Sequence, residues 1–186
     1  MLRVEHWIGE TVAGQHLEVR PLQEEEVGIV EGCFPSSTPL KHRERLTRQR
    51  RGEVVYLIAW LAQRPVGHVL VKLKDAPHAP IAFWGRGGPY LEDLWVAPDR
   101  RSQGIGSRLL EEAERLAQER GFDRIGLRVV VENVRARALY ARHGYLDSGL
   151  GEYPTAGSYV GADGKARAWS TLSRYLVKKL TYKQAA

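Results

Sequence analysis

Arg101-Ser102-Gln103-Gly104-Ile105-Gly106 is the stretch on which the fold turns. It follows the mostly apolar run Leu91-Glu92-Asp93-Leu94-Trp95-Val96 and directly precedes the helical run Ser107 to Glu119. Strand, glycine turn and helix start are the parts of a backbone anion site. The N–H groups of a helix's first turn have no partner within the helix, and the aligned peptide dipoles put partial positive charge there. Glycines let that backbone approach a pyrophosphate closely and take up turn geometry closed to other residues. A Walker loop does not fit, because no Gly-Lys-Ser or Gly-Lys-Thr follows. A dinucleotide fingerprint does not fit either. Leu109 stands where a third glycine is expected, and no acidic residue about 20 positions on ends a second strand. Taken alone, the hexapeptide suits an ordinary strand-to-helix turn equally well.

The flanks decide between these. Leu94-Trp95-Val96-Ala97-Pro98 stands in front, and Asn133-Val134-Arg135-Ala136-Arg137-Ala138-Leu139-Tyr140 stands behind, followed by Gly144-Tyr145. On these residues the chain resembles the GNAT superfamily of N-acetyltransferases. The family's first motif, Leu-x-Val-x-Pro-x-x-Arg-x-x-Gly-x-Gly, is matched by Leu94, Val96, Pro98, Arg101, Gly104 and Gly106. Its second, Asn-x-x-Ala-x-x-Leu-Tyr closed by Gly-Tyr, is matched by Asn133, Ala136, Leu139, Tyr140, Gly144 and Tyr145. The resemblance runs from about Val54 to Tyr145. The first 15 residues and the stretch after Tyr145 match no pattern of the family.

The resemblance implies an acyl-CoA, most simply acetyl-CoA as co-substrate, lying across the edge of a sheet. The pyrophosphate is then expected on the backbone N–H groups of Arg101, Ser102, Gln103, Gly104, Ile105 and Gly106. Arg101 adds charge and Ser107 adds a hydroxyl. The pantetheine arm is expected along Leu94 and Val96, with the Val96 N–H polarising the thioester carbonyl. Asn133 bonds the coenzyme or caps its helix, or does both. Tyr140 matches the family tyrosine that gives a proton to the leaving thiolate, which suits a phenol. An ammonium acceptor must lose a proton before attack, and a carboxylate is a reasonable acceptor for it. Glu92 is favoured over Asp93 for this role, because family members often carry an acid there. Strand alternation lets only one of the two face a given side of the sheet. The acceptor stays open: an amine-bearing small molecule, a protein N-terminus or a lysine. Many relatives dimerise through terminal strands, and Trp169 to Leu180 is the stretch for that here.

Composition sets the frame. A chain of 186 residues with 43% hydrophobic and 27% charged residues suits a single globular domain spanning 1–186, its motif-bearing core at about 54–145. The longest apolar run, Val54 to Ala62, is too short to span a bilayer. No secretory signal opens the sequence, and Cys33 is the lone cysteine, so the expected compartment is the cytoplasm. Cys33 is expected as a small buried apolar residue. The net charge of +6 suits a polyanionic coenzyme or a nucleic acid. The aromatic residues do not interleave with the basic ones as a stacking platform for single strands requires, which disfavours nucleic acid. The basic segment Lys41 to Arg51 is expected as a solvated face, with acceptor binding or nucleic-acid binding as its alternatives. A non-catalytic acyl-CoA-binding module is the remaining alternative. The six histidines show no metal-ligand spacing, so no metal is expected.

Along the chain, Leu17 to Arg20 reads as a strand, and Glu24 to Val30 and Leu40 to Arg51 as helices. Val54 to Leu61 and Val66 to Val71 read as a hairpin across Gln63-Arg64-Pro65. Lys74 to Pro89 reads as a loop, and Tyr90 to Val96 as a strand. Gly104 to Arg120 is a helix with Ile105, Leu109, Leu110, Ala113, Leu116 and Ala117 on one face. Arg124 to Val131 is a strand. Asn133 caps a short helix that runs to about His143, a place where a cation is favoured. Ser148 to Lys165, with five glycines, reads as a long loop, and Trp169 to Leu180 as the last strand. The fold class is therefore α/β (α+β): a mixed, mostly antiparallel sheet with a parallel, splayed pair at the motif loop and helices on both faces.

Overall fold

The computed structural model describes residues 10–12, 14–34, 40–73, 88–160 and 164–181. Among these described residues, nine strands and four helices follow one another as β1 (Glu10–Val12), β2 (Gln15–Pro21), α1 (Val27–Cys33), α2 (Lys41–Arg50), β3 (Val54–Leu61), β4 (Arg64–Lys72), β5 (Tyr90–Val96), α3 (Ile105–Glu119), β6 (Arg124–Val130), α4 (Val134–Arg142), β7 (Leu146–Asp147), β8 (Tyr153–Val160) and β9 (Ala166–Lys179). They form one sheet in the order β1-β2-β3-β4-β5-β6-β9-β7, with β8 also on β9. Every neighbouring pair is antiparallel except β5 and β6.

The apolar run of β3 is buried along its whole length because helices cover both faces of the sheet. Alternate residues serve different cores. Val55, Leu57, Ala59, Val69, Val71, Leu91, Ile125 and Leu127 pack with the α3 residues Ile105, Leu109, Leu110 and Ala113. Tyr56, Ile58, Trp60 and Leu70 pack on the other face with Val27, Val30, Phe34 and Leu46 from the α1–α2 layer. Each fully buried leucine on α3 contributes roughly 1.5–3 kcal/mol of transfer free energy. Gly67 lets α3 lie close to the sheet: a Cβ there would stand 2.9 Å from the Trp95 carbonyl oxygen and 3.2 Å from Leu109 Cδ1.

Several expectations change. The β3–β4 turn is Ala62-Gln63, both at positive φ (48° and 68°), as a two-residue hairpin turn demands, so β4 begins two residues earlier, at Arg64. The acidic run Glu24–Glu26 forms a 3-10 turn ahead of α1. Ser148 to Lys165 is not a continuous loop. Tyr153 to Val160 pairs antiparallel with Ala166 to Ser173, and β9 accordingly starts three residues before Trp169. Gly157 belongs to that ladder because Trp169 lies across it: a Cβ would meet the indole at 2.7 Å. Cys33 is exposed on the last turn of α1 rather than buried. Most of the Lys74–Pro89 expectation, residues 74–87, lies outside the described residues.

Candidate active site

The site begins where two strands part. β5 and β6 share only the pairs Tyr90–Gly126 and Leu91–Leu127. β5 then bulges: its register on β4 shifts between His68 and Leu70, and Asp93 takes φ 55°. Pairing resumes at His68–Trp95 and Gly67–Val96. The Ala97 N–H donates to the Val66 carbonyl at 2.9 Å. Because backbone groups alternate in direction along a strand, Val96 turns its N–H and C=O to the opposite edge, into the gap beside β6, and Leu94 does the same. The Val96 carbonyl accepts a bond of 3.0 Å from Arg101 Nε.

A cleft of about 500 Å³ opens from this gap. Leu94, Trp95 and Val96 form one wall, and Ala136, Leu139 and Tyr140 of α4 form the other. Ser102, Gly104, Gly106 and Ser107 form its mouth at the start of α3. Ser102 (φ 62°) and Gly104 (φ 84°) are both left-handed. Nothing stands within 4 Å of a Cβ built on Gly104, so the glycine there answers to φ and not to space. Gly106 answers to space: a Cβ would lie 3.3 Å from Leu139 Cδ2 and 3.8 Å from Val96 Cγ2. Two residues of the hexapeptide do not line the cleft through their side chains. Gln103 donates to the Asp99 carbonyl at 3.3 Å, and Ile105 is anchored in the core.

The sequence reading passed over three further basic side chains of the cleft, Arg100, Arg135 and Arg142. With Arg101 they make four guanidinium groups around one opening, a setting for phosphate oxygens. Arg135 also donates to Ser102 Oγ at 2.9 Å, tying α4 to the turn. Its only sequence signal is its place at a variable position inside the second motif.

Asn133 is the N-cap of α4: its Oδ1 accepts the Ala136 N–H at 3.1 Å. The cap fixes where the helix starts and so where Tyr140 stands, two turns on. The Tyr140 ring meets the Tyr145 ring edge-on at 5.8 Å. Burial pushes the Tyr140 phenol up to about 12, which keeps it protonated at neutral pH. No group among the described residues accepts that proton.

The carboxylates correct the expectation from alternation. Leu91 and Leu94 both pack on the α3 side. The bulge at Asp93 uses up the extra residue between them, so Glu92 and Asp93 both face the α1–α2 side. Glu92 meets Lys72, and Asp93 meets His68. Glu92 has this one cation, and its side chain is 40% exposed. Asp93 is more heavily engaged: a single oxygen, Oδ2, takes Arg45 Nη2 at 2.6 Å, Lys41 Nζ at 2.7 Å and His68 Nε2 at 3.4 Å. Burial opposes its ionisation, but the bond to His68 and the charges of Arg45 and Lys41 outweigh that and hold the carboxyl well below the usual range. Burial also lowers the His68 pKa, so the two fixed cations are what balance Asp93.

The segment 41–51 is a solvated basic face only in part: Arg43, Arg50 and Arg51 are exposed, while Lys41 and Arg45 turn inward to Asp93. Arg45 is buried on Asp93. Arg43 pairs with Glu31, Arg48 with Glu53 and Arg50 with Glu24, while Arg51 reaches Glu53 at 3.9 Å. His42 donates to or accepts from the Tyr56 hydroxyl at 2.8 Å. Among the described residues no group of three His, Cys, Asp or Glu side chains could hold a metal ion, and no helix is long and apolar enough to cross a membrane.

The family model described as "Acetyltransferase (GNAT) family" matches residues 20–145, more than half of the chain and both motif regions. The chain belongs to the GNAT acetyltransferase family. Among curated relatives, a thialysine N-epsilon-acetyltransferase of Bos taurus is 38% identical over 64 residues, 34% of this chain and 38% of that protein. A mycothiol acetyltransferase of Clavibacter sepedonicus is 42% identical over 57 residues, 31% of this chain and 19% of that one. The matched segment thus spans well under half the length of these relatives. Solved structures share the fold over far more of the chain. Arabidopsis thaliana NAA60 in complex with acetyl-CoA superimposes with TM-score 0.66 at 18% identity, over 88% of this chain and 98% of that one. The ribosomal-protein-alanine N-acetyltransferase of Brucella melitensis does so with TM-score 0.59 at 21% identity, over 87% and 99%.

Proposed function

We propose that this GNAT protein is an acetyl-CoA-dependent N-acetyltransferase that passes the acetyl group directly to a primary amine in a ternary complex. The observation that carries this is the cleft at the parting of β5 and β6. It brings an unpaired strand edge, a glycine-opened helix N-terminus, four arginines and a protonated, unpartnered tyrosine to one opening.

Acetyl-CoA supplies the activated acetyl group, and the residues present fit it. The first-turn N–H groups of α3, reached past Gly104 and Gly106, hold the pyrophosphate, with Arg100, Arg101, Arg135 and Arg142 supplying counter-charge. The gap-facing backbone groups of Leu94 and Val96 hold the amides of the pantetheine arm as an added strand does. The Val96 N–H is the donor placed for a developing negative charge on the carbonyl oxygen. Tyr140 holds its proton for the leaving sulfur. Glu92 takes the proton from the incoming ammonium, directly or through a water. It suits that role better than Asp93, whose Oδ2 is engaged by two cations. The bovine relative is named for acetylating thialysine, and lysine-like amines are accordingly the first acceptors to try.

The test pairs calorimetric titration with acetyl-CoA and free CoA with a thiol-release screen across amines. Saturable binding in the micromolar range and amine-dependent thiol release are expected. Binding without thiol release from any amine leaves a coenzyme-binding module. No binding to the folded protein removes the site assignment.

A further inference from the structure

At the start of α2, two cations share one carboxylate oxygen. Elsewhere on this helix the arginines reach the separate carboxylates Glu31, Glu53 and Glu24. Lys41 and Arg45 instead converge on Asp93 Oδ2. The neighbours do not redress the balance. His42 and His68 are held neutral by burial, and Lys72 is matched by Glu92. The Tyr56 phenol, over which the Arg45 guanidinium lies at 5.0 Å, is pushed up to about 12 by burial and stays neutral. Among the described residues one positive charge is left over, shared between the half-buried Lys41 and the buried Arg45. The Arg45 side chain is 8% exposed, and its Nη1 is buried with no hydrogen-bond partner among the described residues. Both ring nitrogens of His68 are likewise buried without one among the described residues, Nε2 standing 3.4 Å from Asp93 Oδ2. A buried guanidinium N–H left unbonded is costly, and the cost is recovered when an anion arrives.

The position of this surplus matters. Asp93 is the bulge residue at which β5 leaves β6, one residue before the cleft wall Leu94-Trp95. The Trp95 ring stacks on His68 at 5.7 Å and meets Phe34 edge-on at 5.2 Å, so one aromatic wall joins the cleft to the cluster. Glu92, the group proposed to receive the amine's proton, projects from the same face one residue away.

Resting on the transferase reading of that cleft, we infer that the acceptor carries a carboxylate close to its amine, received by Arg45 and Lys41 while the amine is directed towards Glu92. The chemistry is that of an aminocarboxylate, met either in a free amino acid or in a peptide whose second residue is acidic. A simple diamine lacks the group that the surplus charge calls for.

Two matched series separate the sources. The first compares L-lysine with cadaverine, and the second compares Ala-Asp-Gly amide with Ala-Asn-Gly amide, each by kcat/KM for thiol release. Calorimetric binding of the corresponding N-acetyl products runs beside them, so a binding readout exists without turnover. The carboxylate member of at least one series is expected to lead by about tenfold or more, the size of one charge-assisted hydrogen bond. Arg45→Gln and Lys41→Gln should each shrink that ratio towards one. Lys41 is 30% exposed, so its variant reports even where the Arg45 variant does not fold. A lead in the first series alone points to free amino acids, and a lead in the second alone to acidic peptides. Equal kcat/KM and equal product binding across both pairs overturn the inference. A ratio unchanged by Lys41→Gln in a folded protein also overturns the assignment. If no amine is turned over while the carboxylate products still bind in a Lys41-dependent way, the transferase reading fails, and with it the acceptor role, while the carboxylate site at Arg45 and Lys41 stands.

Discussion

Gly104 and Tyr140 answer to different constraints, and their variants should fail differently. Gly104 sits at φ 84° with open space around its Cβ position. Gly104→Ala therefore meets no clash and carries only the left-handed cost, about 1–2 kcal/mol of stability. Thermal or urea unfolding measures it. Gly104→Glu adds an anion at the mouth of the cleft and should abolish acetyl-CoA binding in a protein that still folds. Normal coenzyme affinity in that variant sinks the assignment of the turn. Tyr140→Phe keeps the ring against Tyr145 and removes only the hydroxyl. We expect kcat to fall by about 10²-fold or more, the range for a positioned acid, with acetyl-CoA affinity within about twofold of wild type. Steady-state thiol release and calorimetry separate the two. Wild-type turnover removes Tyr140 as the acid.

α4 shows how an element carries a site. Its start is set by the Asn133 cap, and the ring of Tyr140 arrives at the cleft because the helix begins there. Asn133→Ala should cost about 1 kcal/mol and raise the KM for acetyl-CoA. A melting temperature and KM both equal to wild type contradict that role. Asn133, the apolar face of α3 and the glycine turn were legible in the sequence because each is a local signal: a cap, a period of 3.6, a helix start. The carboxylates were legible only by type. The alternation rule sends Glu92 and Asp93 to opposite faces, and one residue at φ 55° puts both on the same face. Nothing in the side chain of Asp93 announces a bulge, which arises from how β5 registers on β4. The Arg45–Asp93 pair joins positions 48 apart, so no window of sequence holds it. β8 was hidden among the glycines of 148–165, and only pairing with β9 shows Gly157 to be a ladder residue under Trp169.

At the scale of the whole molecule, the buried histidines tie stability to pH. Burial lowers the His42 pKa to about 4, against about 6.5 in the unfolded chain. Its contribution is complete above about pH 6.5 and is lost as pH falls towards 4, because the unfolded state then binds a proton that the folded state refuses. His68 is shifted in the same direction by its burial. Asp93 adds to the loss below about pH 4, where the unfolded chain takes up a proton first. Melting temperature should be flat from pH 7 to 8 and decline from about 6.5 downward, and His42→Gln should flatten part of that slope. A wild-type profile level down to pH 5 contradicts the account. The parting of β5 and β6 also has a mechanical meaning. The two halves of the sheet, β1 to β5 and β6 to β9, are joined across the parting by two residue pairs and by α3, which packs on both. A ligand wedged between them sets their angle as a shim does. Amide exchange along the free edges, at Leu94, Val96 and Arg128, should slow when acetyl-CoA is added, while β3 exchanges at an unchanged rate. Slowing confined to those edges would mean that the ligand is held by stiffening the parting, where Tyr90 and Leu91 make the last pairs.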